Sequence, residues 1–373
     1  MNKILDVTTL RSRPLTPNSG GTGVQSPPEL GDLGSVPEFV QEVYSKKPRN
    51  SMVPELGLVC ITVSKVVRYR TVTRKRLFQF DQLEQARMLR ELYADNLQRL
   101  GAAIEFCSAN QIRLYRLSSG LFPFADDVIG EKVLEELEAE IGLVGDRASR
   151  LNIRLVLHPD QFVVLSSDRP EVIENSIKIL KTHARIFDFL KLPQSPWALM
   201  NIHGGKGNRA ERLIRVIQEL PNNVRSRLTF ENDEYTYSSQ DIFAVCQAAN
   251  VPMLFDAHHH VIHEHLDTYE DPSVAEMLEA ARSTWEIPEW QMVHISNGAE
   301  AFGDQRHSDY ITIMPSSYRQ APWIEVEAKQ KELAIKKLQD EWLFSNVNEL
   351  APVISEPTQL TPEKEGEKIT LLL

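Results

Sequence analysis

Long hydrophobic runs are missing from this sequence. No apolar stretch approaches the roughly 20 residues that a membrane helix needs, so no membrane partner is expected. Cysteine is scarce: Cys60, Cys107 and Cys246 are the only 3 in the chain. They stand far apart inside apolar segments, without the close spacing of a zinc site. A disulfide framework and a thiolate metal site are set aside, and the three read as buried thiols in a reducing compartment. An excess of positive charge is also lacking. With 41 Lys and Arg against 52 Asp and Glu, the net charge is -11. That argues against nonspecific coating of nucleic acid and leaves any such contact to local clusters. The opening stretch MNKILDVTTLRSRP has no secretory hydrophobic core with a small-residue cleavage site, so the expected compartment is cytoplasmic, or nuclear in a eukaryote. No Walker spacing and no G-x-S-x-G elbow occur, which removes a triphosphate loop and acyl transfer.

The 373 residues are 42% hydrophobic and 25% charged, as in a water-exposed globular chain long enough for a large core. Residues 1–50, rich in Pro, Gly and Ser, read as a disordered leader, and 348–373 as a flexible tail. Between them, 51–347, short β-branched runs alternate with helix-patterned stretches and show no fixed-period repeat. Eight runs can be counted: LGLVCITV, IRLYRLSS, IRLVLHP, WALMNIHG, RLTFEN, VPMLFD, WQMVHIS and PWIEVEA. They predict an α/β fold, a (β/α)8 TIM barrel with disordered ends, with an open doubly wound sheet as the alternative.

Metal-binding residue types fall at the C-terminal ends of six of these runs. They are His158, His203, Glu231, Asp256 followed by His259, His294 and Glu327. Taken singly, a strand-end His or Asp more often caps a helix or closes a turn. Together, on the face where barrel active sites lie, they suggest a centre of imidazole and carboxylate ligands suited to Zn, Mn or Fe. His307, in GDQRHSDYI, is a further candidate or else a loop residue. Within HHHVIHEH only His259 is expected to face the site. Glu231 is the candidate catalytic carboxylate, able to bridge two cations of a cluster suited to phosphoryl transfer.

Two basic segments flank this centre. KVVRYRTVTRKR carries Lys65, Arg68, Arg70, Arg74, Lys75 and Arg76 with no acid. It is either a solvated charge run or a rim that neutralises phosphates, with Tyr69 able to stack on a base. The turn HGGKGNRAER adds Lys206, Arg209 and Arg212 and backbone N–H groups at a helix start. Lys329, just past Glu327, is a phosphate contact or a surface charge.

The pieces RLSSGLFPF, HPDQF, NIHGG, LTFENDE, FDAHHH, VHISN, HSDY and IEVEAKQKE, in this order, resemble the UV damage endonucleases. That family is related in fold to the endonuclease IV class. The resemblance implies nicking of damaged double-stranded DNA immediately 5′ to a UV photoproduct, leaving a 3′-hydroxyl and a 5′-phosphate. It also implies a cluster of two or three divalent ions, with Mn2+ expected. All eight residues from His158 to Glu327 match the family's ligands, and Gln161 and Phe162 match a pair pushed into the duplex at the lesion. A monomer is expected. The sequence departs from the pattern at Leu58 and Thr62, where Tyr and Asn are common, and at Met292, where a Lys that can be carboxylated is common. These changes are expected to touch the lining of the site and the occupancy of its outermost metal position. Competing readings are a related metal-dependent barrel enzyme, either an abasic-site endonuclease or a sugar isomerase, and a noncatalytic DNA-damage sensor.

Overall fold

A computed structural model describes residues 53–343. The leader expected over 1–50 and the tail over 348–373 lie outside the described residues. Eight strands run parallel: β1 Glu55–Val59, β2 Leu114–Leu117, β3 Arg154–Leu157, β4 Met200–His203, β5 Leu228–Glu231, β6 Met253–Asp256, β7 Met292–Ile295 and β8 Trp323–Val326. They close in chain order, with β8 pairing back onto β1. The fold is therefore the (β/α)8 barrel and not an open sheet. Each strand falls on one of the eight runs read from the sequence, with β1 starting one residue earlier, at Glu55.

These strands are only 4 or 5 residues long, yet nearly every position on them is buried. That explains why they read as continuous apolar runs: a parallel strand between helices and a barrel interior has no solvent face. Side chains alternate between the two faces. Leu58, Tyr115, Leu155, Ile202, Phe230, Phe255 and Ile324 pack outward with the helices in the main core. Leu114, Val156, Leu199, Leu254 and Met292 form a second cluster inside the barrel with Trp197, Trp290 and Trp323. Beneath it, buried Arg154 lies 4.6 Å from the Trp197 ring centroid and 5.0 Å from that of Trp323. Its guanidinium donates to the carbonyls of Trp197 (2.8 Å), Trp290 (3.0 Å) and Pro196 (3.0 Å). The barrel is thus plugged at the end where its strands begin.

Its polar groups lie at the other end. Strand register sets His203 beside Glu231, Asp256 beside His294, and His294 beside Glu325. One layer of the mouth is therefore lined by ionisable side chains from adjacent strands. The intervening helices are started by local chemistry. Asp81 caps the long helix Gln82–Ala109 by accepting from Glu84 N at 2.9 Å, and Ser238 and Asp241 form a capping box before Ser239–Ala249. Among the described residues no helix is long and apolar enough to cross a membrane.

The departures at Leu58, Thr62 and Met292 fall in three different places. Leu58 faces the helices, so the expectation that it lines the site is corrected: on a strand, its parity points it away from the barrel interior. Thr62 is buried and knits the base of the basic loop, its Oγ1 accepting from Val67 N at 2.9 Å. Met292 faces inward, but belongs to the apolar cluster below the ionisable layer.

Candidate metal centre

Glu231, 1% exposed, is the centre of the mouth. Its two oxygens face different imidazoles. Oε1 lies 2.9 Å from His294 Nδ1 and 3.4 Å from His259 Nδ1. Oε2 lies 3.7 Å from His158 Nε2 and 3.9 Å from His203 Nε2. A buried polar chain fixes the carboxylate: Asn201 Nδ2 donates to Oε2 at 2.5 Å, and Thr229 Oγ1 donates to Asn201 Oδ1 at 2.9 Å. Burial would push the Glu231 carboxyl up, but His294, His203 and His158 outweigh it and hold the group well below the ordinary carboxylate range.

Asp256 combines both roles available to a strand-end acid. Its Oδ1 caps the helix Ala257–His263, accepting from His258 N at 2.6 Å and His259 N at 2.9 Å. Its Oδ2 is buried with no hydrogen-bond partner among the described residues. His259 stands one turn along the same helix, its Nε2 3.5 Å from Glu234 Oε1. Burial lowers the His259 pKa, but Asp256, Glu231 and Glu234 reverse the effect and raise it to about 9. His258, His260 and His263 are tied elsewhere: His258 to the Tyr269 hydroxyl, His260 to Ser239 and Ser273, His263 to the Asp233 carbonyl.

On the far side, Glu327 sits one residue beyond β8, with Oε2 3.8 Å from His307 Nε2 and Oε1 3.8 Å from His294 Nδ1. All eight residues singled out in the sequence therefore reach one mouth. Seven of them, joined by Glu325, form three donor sets, each within 4.8 Å: His158, His203 and Glu231; Glu231, Asp256 and His259, which shares Glu231 with the first; and His294, Glu325 and Glu327. The donor chemistry fits divalent cations. The orphaned Asp256 Oδ2 and His203 Nδ1 show that internal hydrogen bonds do not satisfy this layer.

Around the mouth, Gln161 and Phe162 occupy the exposed turn after β3, and Phe162 is 68% exposed. The turn is held by Asp160, whose carbonyl accepts from Val163 N at 3.0 Å and whose carboxylate accepts from Ser119 Oγ at 2.6 Å. In the basic loop Arg70 and Arg74 are paired with Asp95 and Asp127. Lys65, Arg68, Lys75 and Arg76 have no ion pair among the described residues. Tyr69 is drawn inward instead of presenting a free ring: it packs on the main core and its hydroxyl meets that of Tyr115 at 2.6 Å. Its sequence neighbours suggested base stacking, but its buried hydroxyl anchors the loop. Lys206, Arg209 and Arg212 converge on one acid, Asp168, which they hold well below the carboxylate range. Lys329 is exposed.

A family model described as UV-endonuclease UvdE matches residues 54–356. The chain belongs to this family. A protein of Nostoc sp. named UV DNA damage endonuclease is 60% identical over 298 residues, covering 79% of this chain and 92% of its own length. One of the same name from Deinococcus radiodurans is 49% identical over 289 residues, covering 77% and 95%. A solved structure described as SacUVDE superposes with TM-score 0.64 at 25% identity, covering 77% of this chain and 98% of that one.

Within this UV-endonuclease barrel, two inward side chains escaped the sequence reading. Glu325, fully buried, lies across the ladder from His294, and Arg116 on β2 reaches both Glu325 Oε2 (2.7 Å) and Glu327 Oε1 (2.5 Å). Burial opposes the charge on Arg116, but the two glutamates hold its pKa well above the ordinary value. Glu325 was legible in principle, since it stands two residues from Glu327 and so shares its strand face.

Proposed function

We propose that this chain nicks duplex DNA immediately 5′ to UV photoproducts, leaving a 3′-hydroxyl and a 5′-phosphate, with two or three divalent cations, Mn2+ foremost, held at the barrel mouth. Family membership makes it an endonuclease of UV-damage repair; the site of the cut and the metal are our reading. The observation that carries this reading is Glu231, a buried carboxylate with one oxygen toward each of two imidazole groups, beneath an exposed Gln161–Phe162 turn.

His158, His203, Glu231, Asp256, His259, His294, His307 and Glu327 would hold the cations. When bound, these would supply charge stabilisation to the attacking and leaving oxygens of an in-line displacement at phosphorus. The chain's own groups do the rest. Asn201 and Thr229 keep Glu231 oriented so that each oxygen serves one side of the centre. Lys65, Arg68, Arg70, Lys206 and Lys329 neutralise phosphates around an otherwise anionic mouth. Gln161 and Phe162 enter the stack at the lesion. Flipping costs a few kcal/mol and least at a damaged step, so a wedge there selects for damage. Tyr69 holds the basic loop in place through Tyr115. All proposed ligands come from one chain, which supports action as a monomer.

The direct experiment is to incubate the Mn2+-loaded protein with a duplex carrying one pyrimidine dimer and with its undamaged twin. Cleavage of the first alone, at the 5′ side, is expected. No cleavage with Mn2+, Mg2+, Co2+ or Zn2+ would refute the photolesion reading.

A further inference from the structure

We infer that Glu325 is a positioning residue for His294: it accepts the proton of the imidazole Nε2 and so presents Nδ1 to the metal centre. This rests on the metal reading above. The ligand imidazoles are not wired alike. His158 and His259 hydrogen-bond through Nδ1 to backbone carbonyls, Pro159 O at 2.9 Å and Asn232 O at 2.9 Å, and turn Nε2 to carboxylates, Glu231 Oε2 at 3.7 Å and Glu234 Oε1 at 3.5 Å; the His259 Nδ1 also lies 3.4 Å from Glu231 Oε1. His294 is reversed. Its Nδ1 faces Glu231 Oε1 at 2.9 Å and Glu327 Oε1 at 3.8 Å, the carboxylates at the centre. Its Nε2 lies 2.7 Å from Glu325 Oε2, close enough for an ion pair but off hydrogen-bond alignment, and it has no hydrogen-bond partner among the described residues. A neutral imidazole that ligates through Nδ1 must carry its proton on Nε2, and Glu325 is the acceptor within reach.

Glu325 is in turn held from the side by Arg116, whose Nη1 bridges it to Glu327. A carboxylate committed to a guanidinium and buried at 0% exposure is a fixed anchor and not a mobile ligand. Because His294 and Glu325 are direct neighbours in the β7–β8 register, the barrel itself sets their spacing. Met292, two residues below His294 on its strand, offers no polar group for this task, so the anion beneath the imidazole comes from the adjacent strand.

The test is metal binding. Glu325→Gln keeps an oxygen acceptor and the side-chain shape; Glu325→Leu keeps neither. Removing an outer carboxylate from a metal-bound His typically weakens binding about 10–100-fold. We therefore expect calorimetric titration with Mn2+ to show about 10-fold weaker binding for E325Q and up to about 100-fold for E325L, each with the wild-type number of ions at saturation. Loss of one ion per chain at saturation would make Glu325 a ligand and overturn the inference, and so would unchanged affinity in both variants. Should either variant fail to fold, the wild-type chain still decides. With 15N-labelled histidine and Zn2+ bound, one imidazole should show a metal-shifted Nδ1 and a protonated Nε2. A spectrum in which every ligand is metallated at Nε2 would refute the wiring. Failure of the wild-type chain to take up any divalent cation would remove the metal reading and this inference with it. Uptake with unaltered variants would remove this inference alone.

Discussion

Asp256 accepts the backbone N–H of His259 at 2.9 Å through one carboxylate oxygen, while the His259 ring returns to within 4.0 Å of the other. One acid thus starts the helix and helps to build the metal centre. The two roles separate by substitution. Asn caps helices as well as Asp does, whereas Ala costs about 1 kcal/mol at such a position. Asp256→Asn is therefore expected to keep the cap, and with it the thermal stability of the metal-free protein at about pH 10, where His259 is neutral, while losing cation affinity. Asp256→Ala should lose both. Melting curves in chelator, alongside metal titrations, check this; full metal affinity in the Asn variant would sink the double role.

The metal-free centre should respond to pH in a definite direction. The His259 pKa is raised to about 9 against an ordinary value near 6.5. A raised folded-state pKa contributes stability that is complete below about pH 6.5 and is lost as pH rises through about 9. The chelated protein should melt at lower temperature at pH 9 than at pH 6.5. Cation affinity should move the opposite way, because a ligand imidazole must give up its proton. Calorimetry in buffers of different ionisation enthalpy should detect proton release on Mn2+ binding at pH 7. A flat melting profile with no proton release would contradict this.

Phe162 is exposed and supports nothing beneath it. Phe162→Ala should leave melting temperature and metal content unchanged. Stacking of an aromatic on a base is worth about 1–3 kcal/mol, so nicking of a dimer-bearing duplex should fall by about 10–100-fold. Equal cleavage by wild type and variant would remove the wedge from the account.

Arg154, at the opposite end of the barrel, gives the contrasting case. Arg154→Leu strips three buried carbonyls of their donor, and each unsatisfied group costs about 1–3 kcal/mol. Chemical denaturation should show a loss of about 3 kcal/mol or more, with metal stoichiometry intact. A stability change below about 0.5 kcal/mol would show that the guanidinium does not close the barrel floor.

The strands and most of the centre were legible because each signal is local. A strand buried on both faces has to be continuously apolar, so IRLVLHP and VPMLFD stand out, and a His or Asp ending such a run marks the mouth. Contacts across the barrel were less accessible. Arg116 lies in an unremarkable run, and only closure of β8 onto β1 brings it to Glu325 and Glu327. The anchoring role of Tyr69 is equally distant: its basic neighbours suggest nucleic acid, whereas the contact of its hydroxyl with Tyr115 depends on how the loop folds back. The outward face of Leu58 follows from strand parity, which a motif position alone does not carry.

The central claim is that one cation cluster organised by Glu231 cuts DNA beside a photolesion. It is tested most directly by pairing metal analysis with mapped cleavage for wild type and Glu231→Gln. Wild type is expected to carry two or three divalent ions and to cut a dimer-bearing duplex at the 5′ side of the lesion, leaving the undamaged duplex whole. Glu231→Gln is expected to bind the same duplex with cleavage reduced by at least about 100-fold. Wild-type levels of cleavage by the variant, or a metal-free wild-type enzyme that cuts in the presence of chelator, would contradict the account.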